Sequence, residues 1–411
     1  MPAERTVLFL AQCLPYPPTS GVTNRTFHIL EQLRKEFSVV LTPFFRVNHQ
    51  PDAQTLTESY LALKRLATYV AKPSPIPAEH AIFRQAWDHL RSVVRRRPYT
   101  YYEYASRAFG RELRKTLTSW HPGLIHLDSL VDLYGWLPEL PPAPVVCTHH
   151  NIESQLLRRR AAQMKPRILR AYVGHQANLV QRIEKALAPR CALNVMTSEL
   201  DAKRLAALAP QATTLVVPNG VDTQYLMPSK TARVVPGRIA FLGPTYVFPN
   251  RDGVDYFLGD IWPLIRRSCS SATLELIGQT GAADRARYEA AQGVTCVGHV
   301  WDIRPHLASA SCCIAPLRVG GGTRLKILDY WAMGKAVVST SMGCEGLNTI
   351  DGENILIRDN AEAFADAVLG VLSDPCLRSR LEANGRQTAE RTYGWDSVGE
   401  ELRNAYRSLL A

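Results

Sequence analysis

The stretch Pro316–Thr340 reads PLRVGGGTRLKILDYWAMGKAVVST, and the order of its parts decides the fold. An apolar run, SCCIAP from Ser311, leads into the glycines Gly320, Gly321 and Gly322; a helical pattern follows, and then a second apolar run, AVVST from Ala336. Strand, glycine turn, helix and strand in that order make one unit of an open parallel sheet, whose ligands sit beyond the carboxyl ends of the strands. Glycine lets the backbone come close to an oxyanion, and the free amides of a helix N-terminus attract one. The turn is therefore read as a phosphate-holding loop, with a helix starting near Thr323, whose hydroxyl caps it and meets the same phosphate. Arg324 and Lys326 fall in the first helical turn, where the dipole is already positive, so they call for an anion nearby. A plainer account pairs Lys326 with Asp329 at i,i+3 and turns Arg324 to water. Asp329, two turns past Gly322, is placed to accept two hydroxyl hydrogen bonds from a ribose. The spacing matches neither a Walker loop nor a G-x-G-x-x-G turn.

The same alternation runs through the chain. Short aliphatic runs begin at Thr6, Ser38, Leu124, Pro144, Ala192 and Thr213, and again at Arg238, Ala272, Gly293, Ser311, Ala336 and Asn354. Most are apolar throughout, as strands covered by helices on both faces must be. Two doubly wound α/β sheets follow. The segment from Val216 to Arg238, where Pro, Gly, Asn and Ser break any period, is the expected hinge. The expected organisation is a first domain over 1–218, a second over 219–394, and a terminal helix over 395–411 that packs back on the first. Residues 70 to 80 read as a Pro-rich loop.

A chain of 411 residues is long enough for two domains of ordinary size, and no window carries the roughly 18 uncharged apolar residues of a membrane span. The segment TVLFLA from Thr6 runs into a Pro-rich turn without a small-residue cleavage site, so it reads as a first strand and not as a secretory leader. Nine cysteines, odd in number and without C-x-x-C spacing, suit a reducing cytoplasm, with Cys312 and Cys313 packed as small hydrophobes. The net charge of +11 is the outlier. Its clusters at Arg95, Leu156 to Arg170 and Ile265 fit either a solvated surface or attraction to polyanions.

Two further loops carry candidate groups. LPYPPTSGVTNRTFHIL follows the first strand and opens a helix; Gly21 offers a second close approach of backbone, and Arg25 a cation one turn on. VVCTHHNIES from Val145 sets His149, His150, Asn151, Glu153 and Ser154 at the end of another strand. Two adjacent histidines without a third ligand at metal spacing argue against zinc. One of them is expected to hydrogen-bond a substrate hydroxyl, the alternative being a capping turn.

Taken together, PYPPTSGVTNRTFHIL, HHNIES, VVPNGVD, FLGPTYVFPNRDGVDYFLGDIWPLI, CVGHVWDI and PLRVGGGTRLKILDYWAMGKAVVSTSMGCEGL resemble the retaining glycosyltransferases of family 4, group 1 type. The resemblance implies a GT-B fold: two Rossmann-like doubly wound parallel-sheet domains facing a central cleft, with the acceptor on the first and the nucleotide-sugar donor on the second. It implies that Gly21 approaches the donor phosphate and that His150, more than His149, reaches the donor sugar. Asn219 and Gly220 form the junction turn, the Val300 backbone meets the base, Gly322 and Thr323 hold phosphate, and Asp329 holds ribose. Two positions depart from the pattern. Gly321 stands where the family has its first glutamate, and the Arg and Lys usual after the first strand of the donor domain are replaced by Asn250 and Arg251. Arg324 and Lys326 are expected to supply that charge.

These features point to retaining transfer of a hexosyl group from a nucleotide-diphosphate-sugar to a saccharide or lipid-linked acceptor in surface polysaccharide or glycoconjugate synthesis, without a metal or other cofactor. Catalysis falls to His150, Arg324 and Lys326; donor binding to Gly21, Asn250, Val300, Gly322, Thr323 and Asp329; acceptor binding to Arg25 and Asn151. A same-fold epimerase or phosphorylase is the alternative. A nucleic-acid binder is disfavoured because aromatic and basic residues do not interleave. The expected place is the cytoplasm, with the basic stretch around Arg158 on the anionic inner face of the membrane.

Overall fold

The computed structural model describes residues 5–18, 20–47, 49–77, 79, 81–229, 231–320 and 324–411. The chain divides into two units, one taking everything up to Pro218 together with Val398–Ala411, the other Asn219–Ser397.

The first unit holds β1 (Thr6–Ala11), β2 (Ser38–Phe45), β3 (Tyr69–Val70), β4 (Ser74–Pro75), β5 (Leu124–Leu127), β6 (Val145–His149), β7 (Leu193–Met196) and β8 (Thr214–Val216). They pair in parallel in the order β3-β2-β1-β5-β6-β7-β8, with β4 beside β2. The second holds β9 (Arg238–Leu242), β10 (Thr273–Ile277), β11 (Val294–Gly298), β12 (Cys312–Ala315), β13 (Val337–Ser339) and β14 (Leu356–Ile357), all parallel, in the order β11-β10-β9-β12-β13-β14. Each sheet winds outward from its first strand and then returns to that strand's other side. The order reverses between β1 and β5 and between β9 and β12, and at such a reversal the carboxyl ends of the two strands part and leave a crevice.

Burial explains the unbroken apolar runs. In the second unit Ile239, Phe241, Cys312 and Ile314 enter one core, while Ala240, Cys313 and Ala315 enter another on the opposite face of the sheet. Successive side chains point to opposite faces, so a strand buried on both has no polar positions. Cys312 and Cys313 are thus packed back to back across the sheet.

Three local expectations change. Within the expected loop over residues 70 to 80, β3 and β4 form two-residue pairings at the edge of the first sheet. The stretch from Glu153 is two helices, Glu153–Gln163 and Arg167–Leu187, because Pro166 cannot continue the first and instead precedes the second. The helix after the glycine triplet spans Leu325–Ala332 with Arg324 at its N-cap; Thr323, like Gly321 and Gly322, lies outside the described residues.

The terminal helix spans Trp395–Leu410. From Val398 it belongs to the first unit, where Arg403 Nε donates to Glu36 Oε1 at 3.0 Å and the buried Tyr406 hydroxyl meets His126 Nδ1.

Candidate active site

In the second unit the candidate groups gather where β9 and β12 end. Tyr330, fully buried, spans the reversal: its hydroxyl accepts the Leu242 amide at 2.7 Å and donates to the Ile314 carbonyl at 3.3 Å. One turn earlier on the same helix, Lys326 Nζ donates to Asn250 Oδ1 at 2.8 Å and sits 4.0 Å above the Phe241 ring. Asn250 is held in turn, its Nδ2 donating to the Pro244 carbonyl at 2.9 Å. The Asn250 and Lys326 that the sequence places on separate loops are therefore partners. Arg251, by contrast, pairs with Asp284 at 2.6 Å on the exposed side of its helix.

Glycine is required at this spot. Gly243 has φ +145°, and a Cβ there would come within 2.7 Å of Asn250 Nδ2 and 3.0 Å of Lys326 Nζ. The Arg324 guanidinium folds back on Gly320, with Nη2 at 2.6 Å from where a Cβ on that glycine would stand. Burial, helped by Arg324, pushes the Lys326 pKa well below the ordinary lysine range, against the pull of Asp329. Burial likewise pushes the Asp329 carboxyl up to about 7, with Lys326 opposing. A lysine and a carboxyl group that burial makes equally hard to charge, one turn apart in a glycine-lined crevice, are what a polar ligand would relieve. Val300 lies two residues past β11, its half-buried side chain packed against the core.

In the first unit the reversal lies between β1 and β5. His150, the residue after β6, has Nε2 at 3.5 Å from Asp128 Oδ1, and Asp128 is the residue after β5. Asp128 is fully buried; its Oδ1 accepts Thr26 Oγ1 at 2.8 Å, and its Oδ2 has no hydrogen-bond partner among the described residues. No hydrogen bond joins His150 to Asp128, and His150 Nε2 is itself buried without a hydrogen-bond partner among the described residues. His149 is different. It is buried, its Nε2 lies 3.0 Å from Asn194 Oδ1, and burial pushes its pKa down to about 4. Only His150 of the two keeps access to the outside. Gly21 opens the Gly21–Leu33 helix behind the N-cap Ser20, which is locked in a capping box with Thr23. Arg25, expected to meet an acceptor, is 1% exposed and donates from Nη2 to the Val217 carbonyl at 2.7 Å; burial pushes its pKa down to about 10. Its charge is enclosed in the unit, not displayed. Asn151 donates to Glu153 Oε1 at 3.1 Å, and burial raises the Glu153 pKa.

The sequence reading missed Asp128, although its signal was the one that marked His150, a polar residue directly after an apolar strand. It also missed Arg46, at the end of β2, which donates to the Tyr104 hydroxyl at 2.5 Å and lies 3.6 Å from Glu103, whose pKa burial pushes up to about 7. Nothing local to Arg46 announces a partner 58 residues away. Among the described residues no group of three His, Cys, Asp or Glu side chains is placed to hold a metal, and no helix is long and apolar enough to cross a membrane.

Comparison with known proteins agrees with the two-sheet fold. Residues 19–225 match the family described as Glycosyltransferase Family 4, and residues 236–374 match Glycosyl transferases group 1. A lipopolysaccharide core biosynthesis glycosyltransferase, LpsE of Rhizobium meliloti, is 38% identical over 87 residues, which span 21% of this chain and 24% of that relative. Among solved structures, sucrose-phosphate synthase of Thermosynechococcus elongatus superposes with a TM-score of 0.71 at 16% identity, covering 98% of this chain and 99% of that one. HepE of Anabaena in complex with UDP superposes with a TM-score of 0.68 at 14% identity over 98% and 100% of the two chains. The two reversed-order sheets, the glycine-lined crevice at β9 and β12 and the matched spans together establish that the chain is a glycosyltransferase of family 4 with the GT-B fold.

Proposed function

We propose that the chain moves a hexosyl group from a nucleotide-diphosphate-sugar, with retention at the anomeric carbon and without a metal, to a saccharide or lipid-linked saccharide in surface polysaccharide or glycoconjugate assembly. The observation that carries this reading is the Lys326 ammonium on Asn250 at the β9/β12 reversal, with Arg324 against Gly320 beside it. The anomeric C–O bond breaks toward an oxocarbenium-like sugar, and the negative charge it leaves on the diphosphate falls to Arg324, Lys326 and the amides of Gly322 and Thr323. The acceptor hydroxyl attacks from the face the diphosphate leaves, and a phosphate oxygen takes its proton. Asp329 accepts the ribose hydroxyls, the Val300 backbone meets the base, and His150, beside Asp128, holds a sugar hydroxyl. Gly21 and Asn151 serve from the loops of the first unit, and Arg25 fixes the end of β8 from within. The likeness to HepE bound to UDP and to a lipopolysaccharide core enzyme supports a uridine nucleotide and a surface-glycan acceptor.

A thermal-shift screen over nucleoside diphosphates and their sugars should single out a donor, since a bound ligand raises apparent stability with its affinity. With that donor, Arg324→Ala and Lys326→Ala should each lower turnover more than about tenfold while far-UV circular dichroism is unchanged. Wild-type rates in both variants would remove the assignment, and an inverted anomer in the product would remove retention. Consumption of donor without any acceptor would point to an epimerase.

A further inference from the structure

The Ile82–Arg95 helix is inside out. Winding at about 100° per residue, Ile82, Phe83, Trp87, Leu90 and Val94 share one arc of about 140°, which would face a core in an ordinary amphipathic helix. Here that arc faces outward: Phe83 is 93% exposed, Ile82 77% and Val94 70%. The side turned to the protein is polar. Asp88 and Ser92 are buried, Gln176 Nε2 donates to Ser92 Oγ at 2.7 Å, and His89 stacks on Tyr99 at 3.9 Å and pairs with the Tyr172 hydroxyl at 2.5 Å. Between the two faces run Arg84, Arg91 and Arg95, all exposed. The chain's own contacts thus hold the helix by its polar face and present its apolar face to solvent.

The neighbouring helix extends the surface. Tyr172 and Gln176, which grip the first helix, belong to Arg167–Leu187. One turn before Tyr172 stands Ile168, 88% exposed, with Leu169 beside it and Arg167 and Arg170 around them, all exposed. The charge is one-sided: between Glu79 and Glu103 the only acidic residue is the buried Asp88, and between Glu153 and Glu184 there is none. A protein partner's interface has its charges thinned at the core and usually both signs at its rim. A ridge of large apolar side chains flanked by arginines alone matches an anionic bilayer, into which aromatic and aliphatic groups sink while guanidinium groups stay at the phosphate level.

We propose that the Ile82–Arg95 helix and the first turn of Arg167–Leu187 form a membrane-docking surface that inserts its apolar ridge into the headgroup layer of an anionic lipid bilayer. Of the basic stretch that the sequence reading put on the membrane, this keeps the turn over 167–170 and moves the centre of the contact away from Arg158 to the Ile82–Arg95 helix. Arg158 donates to Asn178 and Gln181 of the adjoining helix, and no strongly exposed apolar residue accompanies it. The surface stands independently of the sugar-transfer reading, because none of its residues belongs to either crevice.

The test is flotation of the full chain with vesicles of equal parts phosphatidylglycerol and phosphatidylcholine, and with phosphatidylcholine alone. The wild type should float with the anionic vesicles and release in high salt. Phe83→Ser with Trp87→Ser should weaken binding about tenfold or more, and Arg95→Glu with Arg167→Glu should abolish the preference for phosphatidylglycerol. Because the replaced apolar side chains face solvent, the melting temperature and transfer to a water-soluble acceptor should be unchanged in the serine variant. Equal flotation of the serine variant and the wild type overturns the proposal. So does a wild type that ignores vesicles and sediments as a dimer that the serine substitutions dissociate, since the occupant would then be a second copy.

Discussion

Lys326 has its ammonium 2.8 Å from Asn250 Oδ1 and over the Phe241 ring, with Arg324 close by in sequence, and burial drives its pKa down. A diphosphate placed there reverses the balance by supplying the missing negative charge, so the bound-state pKa rises above the free-state one. Between those two values binding takes up a proton, and affinity falls as pH climbs through the bound-state value. At about pH 8.5 Asp329, at about 7, is already ionised and contributes little. Calorimetric titration with UDP at stepped pH from about 8 upward, in buffers of different ionisation enthalpy, should therefore report proton uptake in the window between the free-state and bound-state values. Lys326→Arg, which keeps the charge and does not titrate, should bind without it; uptake that survives in the arginine variant assigns the proton elsewhere. The histidine pair makes a second contrast at this scale. His150→Ala should lower turnover at least about tenfold and leave the melting temperature nearly unchanged, whereas His149→Ala, which strips a partner from the buried Asn194, should cost about 1–3 kcal/mol of stability. Similar losses of activity without destabilisation in both variants would mean that the pair acts together.

At the scale of elements, the crevice of the second unit is shaped by two strand ends whose glycines do different work. A Cβ on Gly278, at φ +138°, would lie 2.6 Å from the carbonyl carbon of Gly243, which is backbone and cannot swing aside. Gly278→Ala should therefore destabilise the fold by at least about 2 kcal/mol in urea denaturation. On Gly243 the same methyl meets the Asn250 amide and Lys326 Nζ, side chains that can shift, but φ +145° strains any residue with a Cβ, so Gly243→Ala should cost less than Gly278→Ala, about 1–2 kcal/mol, and weaken UDP binding about tenfold. Equal effects of the two on stability would argue that the β9 turn is as rigid as the β10 turn. This division also shows what the sequence can carry. The twelve apolar runs marked as strands all form strands, because burial on both faces leaves a continuous apolar signature that needs no partner to be seen. The edge strands β3 and β4, two residues each, have no such signature, since their pairing comes from β2 and not from their own composition. The crevice was half legible. Lys326 and Asn250 each follow a strand and so were marked singly, but their bond joins residues 76 apart, that of Asp128 to Thr26 spans 102 and that of Arg46 to Tyr104 spans 58, and spacing in one sequence does not encode which strand ends meet.

Across the whole molecule, the first unit is completed only by residues from Val398 onward. Val398, Leu402 and Tyr406 are buried there, and the Tyr406 hydroxyl meets His126, a fully buried residue of β5 that stacks on Phe9 of β1 at 4.2 Å. The terminal helix thus fastens the pair of strands whose parting makes the first crevice. Burial holds the His126 pKa down to about 3, so the unfolded chain binds a proton that the folded one refuses between roughly pH 6.5 and that value. This contribution is complete above about pH 6.5 and is lost progressively as pH falls toward 3. Tyr406→Ala opens a cavity beside this ring and should cost about 3–5 kcal/mol. Hydrogen exchange locates the loss: amides of β1, β5 and β6 should open faster, while those of β9 to β13, which share no core with Tyr406, should keep their protection. Acceleration of equal size in both sheets would show that the two units unfold as one cooperative body, and the terminal helix would then fasten the whole chain and not the first unit alone.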